Sequence, residues 1–575
     1  MHELEERRWR FYTLFTVIAV FILILIFRLF YLQVIQNSYY SSLAKKEHWR
    51  EETIPAQRGT IYDTNGHVLA TSVGFESLYA ITNQIARPEK LARALSPVLG
   101  ESETEIAAKL ATKQNAPTLV KAYLPEEQAD AVRKLNLWDV YFQPEFKRMY
   151  PEGSIAAQVL GIVGLESQGL TGIEARYNDV LAGKPGSLLA ERDATDDEIA
   201  LSASTYSQPH NGGSITLTID RYIQKLVEQE LEKAVGQYKA AGGTIVVMEP
   251  RTGAILAMAN RPTIDFNDPN LFAASRTPMY KNAAVSDAWE PGSIFKIITM
   301  AAALDTKAVT PDTSFNNTGS FAYGGGVVRN VITRLGPETM TQTLQRSSNI
   351  GAAFASTRMG ADAFYRYVEA FGFGQPTGIE LQGESPGILR TNKTGNWYPF
   401  DLATNAFGQG ISVTPIQMVT AVSAAINGGI LMKPYVVKEV VTEKERREYH
   451  PTVIRQVISP QTSKTLGGML VSVVELVEGG QVRLAKVPGY HVGGKTGTAE
   501  IPTKEGYGSS ATIASFVGFG PADDPRFVML VKIDRPEASP WGETVASPVF
   551  RAIAEQLFTY MKVPPARAVT QNQGG

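Results

Sequence analysis

Residues 289–296 read WEPGSIFK and place a serine and a lysine three positions apart at the predicted start of a helix. Pro291 suits a first helical turn, and the residues after Lys296 continue with helical composition. Residues three apart on a helix lie on one side, so the Lys296 amine is expected to reach the Ser293 hydroxyl. The helix N-terminus also favours negative charge. The segment predicts a serine nucleophile, although Ser-x-x-Lys alone is common by chance.

A second polar segment, Ser347-Ser348-Asn349, follows the helix-like stretch MTQTLQR. A hydroxyl and a carboxamide two positions apart can both point into a cleft from a loop. In isolation an ordinary polar turn is the better interpretation of these residues. Ser347 and Asn349 become candidate site residues only in combination with Ser293 and Lys296.

Glycines surround a lysine in the strand-like segment 493–499, which reads GGKTGTA. Gly497 is expected to let a ligand backbone approach closely. Lys495, with the hydroxyls of Thr496 and Thr498, is expected to hold a carboxylate. The segment therefore predicts a substrate-binding strand.

The same region also satisfies a phosphate-binding pattern. Residues 489–496 fit G-x-x-x-x-G-K-[ST], which requires a strand before it and a helix after it. The residues that follow are GTAEIPTKEGYG, and Pro502 and Gly506 are incompatible with a helix start. A buried parallel strand before Gly489 is also missing. The nucleotide-binding interpretation is therefore rejected.

Composition narrows the possible functions. The 575 residues carry a formal net charge of -2, with 44% hydrophobic and 19% charged side chains, which is globular composition. The strong basic field of nucleic-acid-binding proteins is absent. The chain has no cysteine and only six histidines, none of them paired at metal-ligand spacing. No metal or cofactor is expected.

A long apolar run near the N-terminus predicts a membrane anchor at residues 11–35. The uncharged part, residues 11–27, spans roughly 25 Å as a helix. Arg28 can extend to the headgroups, so that the whole reaches the bilayer thickness of about 30 Å. A cleaved signal peptide is the alternative, but the run is long for one, and the only cleavage-like site, residues 42–44, lies well beyond it.

Charge around the anchor predicts its orientation. Arg7, Arg8 and Arg10 precede the run, and the far side carries no charge until Lys45. By the positive-inside rule, residues 1–10 form a cytoplasmic tail and the rest lies outside the membrane.

Two folded regions are predicted after the anchor, giving an α+β multidomain protein. The first, residues 36–212, is an elongated α/β pedestal with a hairpin at 58–70 and helices at 88–99 and 101–111. It contains no convincing catalytic cluster. Its end is placed in the polar segment 202–213.

The second region, residues 213–562, is predicted to be an antiparallel sheet flanked by helices. The predicted elements are strands at 215–220, 243–249, 254–259, 511–518 and 527–534, a helix at 221–238 and a closing helix at 547–560. Residues 563–575 are predicted to be a disordered tail.

The three polar segments together are far more specific than any one of them. SIFK, SSN and KTG follow one another with about 50 and 150 residues between them, and this set marks penicillin-binding proteins and class A β-lactamases. The chain resembles the class B penicillin-binding proteins, the monofunctional peptidoglycan transpeptidases. The resemblance covers nearly the whole chain, including RGTIYD at 58–63, GLTGIEARYNDVLAG at 169–183, GTIVVMEPRTGAILAMA at 243–259, FGQGISVTPIQM at 407–418 and SFVGFGP at 515–521. Thr64 departs from the pattern, since the family usually has Arg there.

The resemblance implies a D,D-transpeptidase in which Ser293 attacks the D-Ala-D-Ala carbonyl of a stem peptide. Lys296 must be neutral to take the Ser293 proton, and burial beside Lys495 is expected to lower its pKa from the usual 10.4 or so. Ser347 is expected to relay a proton to the leaving D-alanine. An amine of a second stem peptide then attacks the acyl-enzyme.

The remaining site residues are expected to bind the substrate. Asn349 would hold the substrate amide, and Thr496 and Thr498 its terminal carboxylate. The backbone N–H groups of Ser293 and Thr498 would form the oxyanion hole. An Asn at 349 resembles the septal, cell-division group more than the elongation group, which often has Asp there.

The implied partners are peptidoglycan stem peptides, β-lactam antibiotics that trap Ser293, and a SEDS-family glycosyltransferase with other membrane proteins of the cell-wall machinery. The implied location is the bacterial cytoplasmic membrane. An elongation-type transpeptidase and a D,D-carboxypeptidase remain open alternatives. A β-lactamase is disfavoured because no E-x-x-L-N arrangement lies between Asn349 and Lys495, and an inactive scaffold is disfavoured by the intact Ser293 and Lys296.

Overall fold

The computed structural model of the chain describes residues 2–40, 49–83, 85–112, 117–164, 166–191, 205–268, 271–332, 334–475, 483–501 and 511–566. The cleavage-like site at 42–44, residues 202–204 of the predicted domain boundary and residues 567–575 of the predicted disordered tail lie outside these residues.

The chain divides into two compact units. The first unit consists of Met1–Gln57, Gly74–Phe146 and Gly183–Asn211, and the second of Arg58–Val73, Lys147–Ala182 and Gly212–Gly575. The predicted pedestal, residues 36–212, therefore contributes to both units.

The strands of the described residues are β1 Trp49–Ile54, β2 Ile61–Tyr62, β3 Val68–Ala80, β4 Thr118–Leu124, β5 Val140–Met149, β6 Gly186–Glu191, β7 Thr205–Ser207, β8 Ser214–Leu217, β9 Gly242–Met248, β10 Ile255–Arg261, β11 Ser314–Asn317, β12 Ser320–Tyr323, β13 Gly326–Arg329, β14 Gly336–Thr339, β15 Ile430–Met432, β16 Val437–Val441, β17 Arg446–Glu448, β18 Val453–Gln456, β19 Gly493–Glu500, β20 Thr512–Gly520 and β21 Phe527–Asp534.

The α-helices are α1 His2–Phe30, α2 Pro88–Leu99, α3 Glu103–Leu110, α4 Glu126–Lys134, α5 Ala157–Leu160, α6 Gly172–Arg176, α7 Asn178–Leu181, α8 Arg221–Tyr238, α9 Ala283–Ser286, α10 Lys296–Asp305, α11 Met340–Gln345, α12 Asn349–Met359, α13 Ala361–Ala370, α14 Pro399–Asn405, α15 Pro415–Ile426, α16 Pro460–Glu475 and α17 Gly542–Tyr560. A π-helical segment, Tyr31–Ile35, follows α1, and 3₁₀ turns lie at Ala274–Tyr280 and Gly292–Phe295.

Helix α1 carries the predicted anchor. Arg8–Ile35 is long and apolar enough to cross a membrane, with a mean hydropathy of 2.7, and its large apolar side chains are exposed. Exposed apolar side chains over this length need a lipid or protein environment. The segment fits a single-pass membrane anchor.

The first unit has its own core between two helices and a sheet. β3 pairs with β4 in antiparallel fashion, and α2 and α3 cover them with Leu91, Leu95, Ile106 and Leu110. Helix α3 begins at Glu103, two residues later than predicted, because Ser102 caps it: its side chain accepts from the Glu105 N–H while Glu105 reaches back to the Ser102 N–H.

The second unit is built on a five-stranded antiparallel sheet in the order β10-β9-β21-β20-β19. Both faces of this sheet are covered. Ile245 and Val247 of β9 pack under α8 and α17, while Val246 and Met248 face the larger core that contains α10 and α15. The predicted antiparallel sheet flanked by helices is confirmed, and β19, at its edge, carries the KTG segment.

The closing helix α17 begins at Gly542, five residues earlier than predicted, and passes through Pro548. A proline inside a helix leaves the carbonyl four residues earlier without its usual donor. That carbonyl belongs to Thr544, and it accepts a hydrogen bond of 3.0 Å from the Tyr238 hydroxyl at the end of α8. Tyr238 therefore replaces the missing bond, and the helix continues through the proline.

Two of the family-like segments are joined by a buried ion cluster. Arg58 Nε lies 2.6 Å from Glu174 Oε2, and Arg148 Nε lies 2.7 Å from Glu174 Oε1. Arg58 also donates to Asn178 Oδ1 over 2.9 Å. A buried carboxylate shared by two guanidinium groups is costly to break, so this cluster fixes RGTIYD against GIEARYND.

Thr64, the residue that departs from the family pattern, lies beside Lys438 of β16. The Lys438 ammonium donates to both the carbonyl and the hydroxyl oxygen of Thr64, each over 3.2 Å. A lysine on the neighbouring element thus supplies the positive charge at this position.

Candidate active site

Ser293 lies in a 3₁₀ turn, Gly292–Phe295, and Lys296 is the first residue of α10. The predicted helix start therefore forms, but its first turn is tighter than the α-helix expected. In a 3₁₀ turn, side chains three positions apart eclipse one another. This geometry places Lys296 Nζ 3.0 Å from Ser293 Oγ.

Gly292 sets the direction of this turn. Its φ of 55° lies in the left-handed region that glycine adopts at little cost. A Cβ at this position would also lie 3.2 Å from the carbonyl oxygen of Thr498, so a larger residue would push the turn away from β19.

The Lys296 amine has four polar neighbours. Ser347 O lies 2.6 Å from Nζ and Asn349 Oδ1 lies 2.8 Å from it, while Ser347 Oγ is 3.2 Å away. A neutral amine has two N–H donors and one lone pair, and the two acceptor oxygens, Ser347 O and Asn349 Oδ1, can take both hydrogens. The lone pair is then left for the Ser293 hydroxyl.

The orientation of Asn349 is fixed by its backbone neighbours. Its Nδ2 donates to the Arg329 carbonyl over 3.1 Å, which turns Oδ1 towards Lys296. Asn349 was expected on a loop but is the first residue of α12, capped by Ser348. Asn330 completes the arrangement, since its Oδ1 accepts from the N–H groups of Asn349 and Ile350 over 2.7 and 3.0 Å.

Ser347 connects the two lysines. Its Oγ lies 3.2 Å from Lys296 Nζ and 3.0 Å from Lys495 Nζ. Its φ of 56° is unusual for a residue with a side chain. Such strain persists where the surroundings enforce it and is concentrated at functional sites.

The predicted strand segment supplies the opposite wall. Lys495 Nζ also contacts the carbonyl and hydroxyl oxygens of Thr496 at 3.2 and 3.4 Å, and the Thr498 hydroxyl accepts from the Gly542 N–H over 3.1 Å. A Cβ on Gly497 would collide with Ser515 Oγ and approach Ile294, so this glycine allows close packing of the protein's own elements around β19. The expected approach of a ligand backbone to Gly497 stays a prediction.

Burial and charge determine the protonation of both lysines, each of which is 1% exposed. Burial, and then the positive charge of Lys495, hold the pKa of Lys296 well below its usual value, while Glu338 opposes this shift. Burial, and then Arg483, lower the pKa of Lys495 to about 7, against the opposing effect of Glu543. This surrounding favours the neutral form of the Lys296 amine.

Ser347, Lys495, Thr496 and Thr498 line a cavity of about 720 Å³. Ser293, Ser347, Thr496 and Thr498 are each partly exposed, so a ligand can reach the hydroxyls while the two lysines stay buried. Among the described residues, no group of three His, Asp or Glu side chains is placed to hold a metal ion.

Sequence reasoning missed three residues of this site: Asn330, Glu338 and Arg483. Each lies outside the three motifs and reaches the site only through the fold. Only Glu338 had a nearby sequence signal. It directly precedes Thr339, the N-cap of the helix that leads to Ser347.

Comparison with known proteins identifies the family. The family model described as the penicillin-binding protein transpeptidase domain matches residues 243–555, and the model of the penicillin-binding protein dimerisation domain matches residues 53–217. The chain belongs to the class B penicillin-binding proteins. This membership confirms the resemblance seen in SIFK, SSN and KTG.

Relatives of this penicillin-binding protein align over nearly its whole length. Stage V sporulation protein D of Bacillus subtilis is 38% identical, over 98% of this chain and 87% of its own. The probable peptidoglycan D,D-transpeptidase PenA of Neisseria meningitidis is 32% identical, over 96% of this chain and 93% of its own. The crystal structure of penicillin-binding protein 3 from Mycobacterium tuberculosis, complexed with aztreonam, is 28% identical with a TM-score of 0.70, covering 90% of this chain and 98% of that one.

The lowered pKa of Lys296 predicts how labelling of this penicillin-binding protein by penicillin depends on pH. The base must be neutral, so the rate of labelling should fall as the pH drops through the pKa of Lys296. Lys495→Met removes a neighbouring positive charge, so the pKa of Lys296 should rise. The acid limb of the profile, the pH range in which the labelling rate falls, should then move to higher pH. The measurement is the rate of labelling by a fluorescent penicillin between about pH 5 and 9.

The control is Lys464→Met, an exposed lysine on α16, which should leave the acid limb in place. An acid limb that stays in place in Lys495→Met, or moves to lower pH, would contradict the electrostatic coupling of the two lysines.

Proposed function

We propose that this protein is a peptidoglycan D,D-transpeptidase that acts through an acyl-enzyme on Ser293. The observation that carries this proposal is the Lys296 amine, buried beside Lys495, with a lone pair left for the Ser293 hydroxyl. Such a pair activates a serine without histidine or metal. The names of the relatives, among them a probable peptidoglycan D,D-transpeptidase, support the same reaction.

Acylation proceeds by transfer of the Ser293 proton to Lys296 as Oγ attacks the carbonyl of the penultimate D-alanine. The bond to the terminal D-alanine breaks, and its nitrogen takes a proton from Ser347 Oγ. Ser347 can be reprotonated from Lys296, since its Oγ lies 3.2 Å from that amine. Lys296 thereby returns to its neutral form.

The strand β19 binds the substrate in this proposal. Thr496 and Thr498 present partly exposed hydroxyls for the terminal carboxylate, beside the buried Lys495. The backbone N–H groups of Ser293 and Thr498 stabilise the oxyanion, and one such donor is worth roughly 3 kcal/mol in a transition state. Asn349 holds the substrate amide from the opposite wall. An amine of a second stem peptide then attacks the ester carbonyl, Ser293 leaves as the alcohol, and the cross-link is formed.

We expect Ser293→Ala to abolish covalent labelling by a fluorescent penicillin and to abolish cross-linking, because it removes the hydroxyl oxygen that attacks the carbonyl. The change removes one oxygen atom from a partly exposed side chain, so the free energy of unfolding should change by less than about 0.5 kcal/mol. Thermal unfolding measures this change. Peptide mapping of the labelled wild-type protein should place the adduct on Ser293.

The matched control is Ser286→Ala, a partly buried serine on α9, which should label normally. An adduct on another residue would refute the assignment of the nucleophile. Rapid turnover of the label would indicate a β-lactamase, and release of D-alanine without cross-linking a carboxypeptidase.

A role in cell division is the finer part of the proposal. It rests on Asn349, whose amide is typical of the septal group. Depletion of the protein from growing cells should therefore give filaments that fail to divide. Rounded cells after depletion would instead indicate an elongation enzyme, and normal growth with defective spores would indicate a sporulation enzyme.

The N-terminal helix is proposed to place residues 1–10 in the cytoplasm and the remainder outside the cytoplasmic membrane. The arginines at positions 7, 8 and 10 support this orientation. The helix and the first unit are proposed to dock a SEDS-family glycosyltransferase, since the first unit carries a core of its own but no catalytic cluster among its described residues.

Because the chain has no cysteine, single cysteines test the orientation. Ser38→Cys should react with a membrane-impermeant maleimide in spheroplasts, and His2→Cys should react only after lysis; the reverse pattern would refute the orientation. The glycosyltransferase should co-purify with the full chain from detergent and be lost when residues 1–210 are deleted. Its persistence after that deletion would refute the docking proposal.

A further inference from the structure

Glu338, in the strand before helix α11, is a buried carboxylate in the wall of the catalytic cavity. It lines the same cavity as Ser347, Lys495 and Thr498, and it is only 2% exposed. Its Oε2 accepts a hydrogen bond of 2.9 Å from Asn317 Nδ2. Its other oxygen, Oε1, is fully buried and has no hydrogen-bond partner among the described residues.

An unpartnered carboxylate oxygen in such a place requires an explanation. A buried charge without a partner is destabilising, and buried polar atoms are nearly always hydrogen-bonded. The lysines of the site do not supply the partner. Lys296 Nζ contacts Ser293, Ser347 and Asn349, and Lys495 Nζ contacts Ser347 and Thr496.

The second carboxylate of the cavity, Glu543, differs from Glu338 in this respect. Its Oε1 accepts from the Leu484 N–H over 2.8 Å, and its Oε2 from Ser547 Oγ over 3.4 Å. Both of its oxygens therefore have protein partners. Of the carboxylates that the described part of the chain places in this wall, Glu338 is the one left with a bond to make.

We propose that Glu338 binds the ammonium group of the acyl acceptor, which gives one proton to the neutral Lys296 amine and then attacks the Ser293 ester as the free amine. This inference rests on the proposed transpeptidation, in which the second substrate carries a primary amine that is a cation at neutral pH. Oε1 is covered in the structure, so the Glu338 side chain must rotate towards the cavity before an ammonium group can satisfy it by a charge-assisted hydrogen bond. Glu338 is then a specificity-determining residue that favours a cationic acceptor over water.

The charge of the remaining wall strengthens this assignment. Arg334, Arg346 and Arg483 also line the cavity, and guanidinium groups suit the carboxylates of a peptide, not its amine. A cation entering this cavity is repelled by three arginines and attracted by two carboxylates, Glu338 and Glu543. Both Glu543 oxygens already accept hydrogen bonds from the protein, so Glu338 is the carboxylate assigned to the cation.

The test measures the ratio of aminolysis to hydrolysis of the acyl-enzyme. Full-length protein is given an N-acyl-D-alanyl thioester as donor, and the aminolysis and hydrolysis products are measured with two acceptors. Nα-acetyl-L-lysine methylamide carries a side-chain ammonium, and hydroxylamine is uncharged at neutral pH. Because both products come from the same acyl-enzyme, their ratio does not depend on how fast it forms.

Glu338→Gln should lower the aminolysis-to-hydrolysis ratio about tenfold with the lysine derivative, because one charged partner is lost, and leave the ratio with hydroxylamine within about twofold. Glu338→Asp keeps the charge although it disturbs the packing more, and should retain more of the preference than Glu338→Gln. The matched control is Glu228→Gln, a carboxylate 7% exposed whose Oε1 accepts from the Ala156 N–H, which should keep the wild-type ratio.

An unchanged ratio with the lysine derivative in Glu338→Gln would overturn the role of Glu338 and leave transpeptidation intact. An equal fall with both acceptors, or a greater loss in Glu338→Asp, would show that Glu338 acts only through packing. A wild-type protein that is acylated but transfers to neither acceptor would refute the proposed transpeptidation itself.

Discussion

The site depends on the burial of two lysine amines around one serine hydroxyl. Ser347 Oγ lies within 3.2 Å of both Lys296 Nζ and Lys495 Nζ, and both lysines are almost inaccessible to solvent. Two ammonium ions cannot share so small a space in a low dielectric. The fold therefore forces at least one amine to be neutral, and it holds the pKa of Lys296 well below its usual value. The reactivity of Ser293 follows from this constraint.

Two unusual backbone conformations and one close approach of the backbone hold the amines together. Gly292 has a φ of 55°, Ser347 has a φ of 56°, and Gly497 lets β19 pack against the turn that carries Ser293. A left-handed Ser347 costs on the order of 1 kcal/mol. The five-stranded sheet and the helices on both of its faces supply a core large enough to offset such strain.

The chemistry of the site could be read from the sequence because Ser293, Lys296, Ser347, Asn349 and Lys495 occur in short motifs. Strands such as β21 and helices such as α8 were also predicted within a residue or two, since their hydrophobic patterns are strong. The 3₁₀ turn at Ser293 was not predicted, because the composition of residues 291–296 suits the first turn of an α-helix equally well. The start of α17 was misplaced because the bond from Tyr238 that compensates Pro548 comes from a helix about 300 residues away.

Asn330, Glu338 and Arg483 could not be predicted for a related reason. Asn330 acts through its side-chain oxygen, which accepts from the first N–H groups of α12. The positions of Asn330 and Asn349 in the sequence do not reveal this contact. Glu338 occupies a short strand whose pairing with β11 is set by tertiary structure. A sequence motif contains residues that lie close together in one local structure. Asn330, Glu338 and Arg483 instead contact or electrostatically influence the motif residues from other parts of the fold.

The two carboxylates of the cavity give each buried lysine one opposing charge. Glu338 raises the pKa of Lys296 and Glu543 raises that of Lys495, each against the larger effect of burial. If an ammonium group occupies Glu338, the negative charge next to Lys296 is neutralised and the pKa of Lys296 falls further. Lys296 is then held neutral at the step in which it must take a proton from the attacking amine. Water carries no charge and leaves Glu338 unaltered, so hydrolysis gains no such advantage. The same carboxylate that selects the acceptor thereby prepares the base for it.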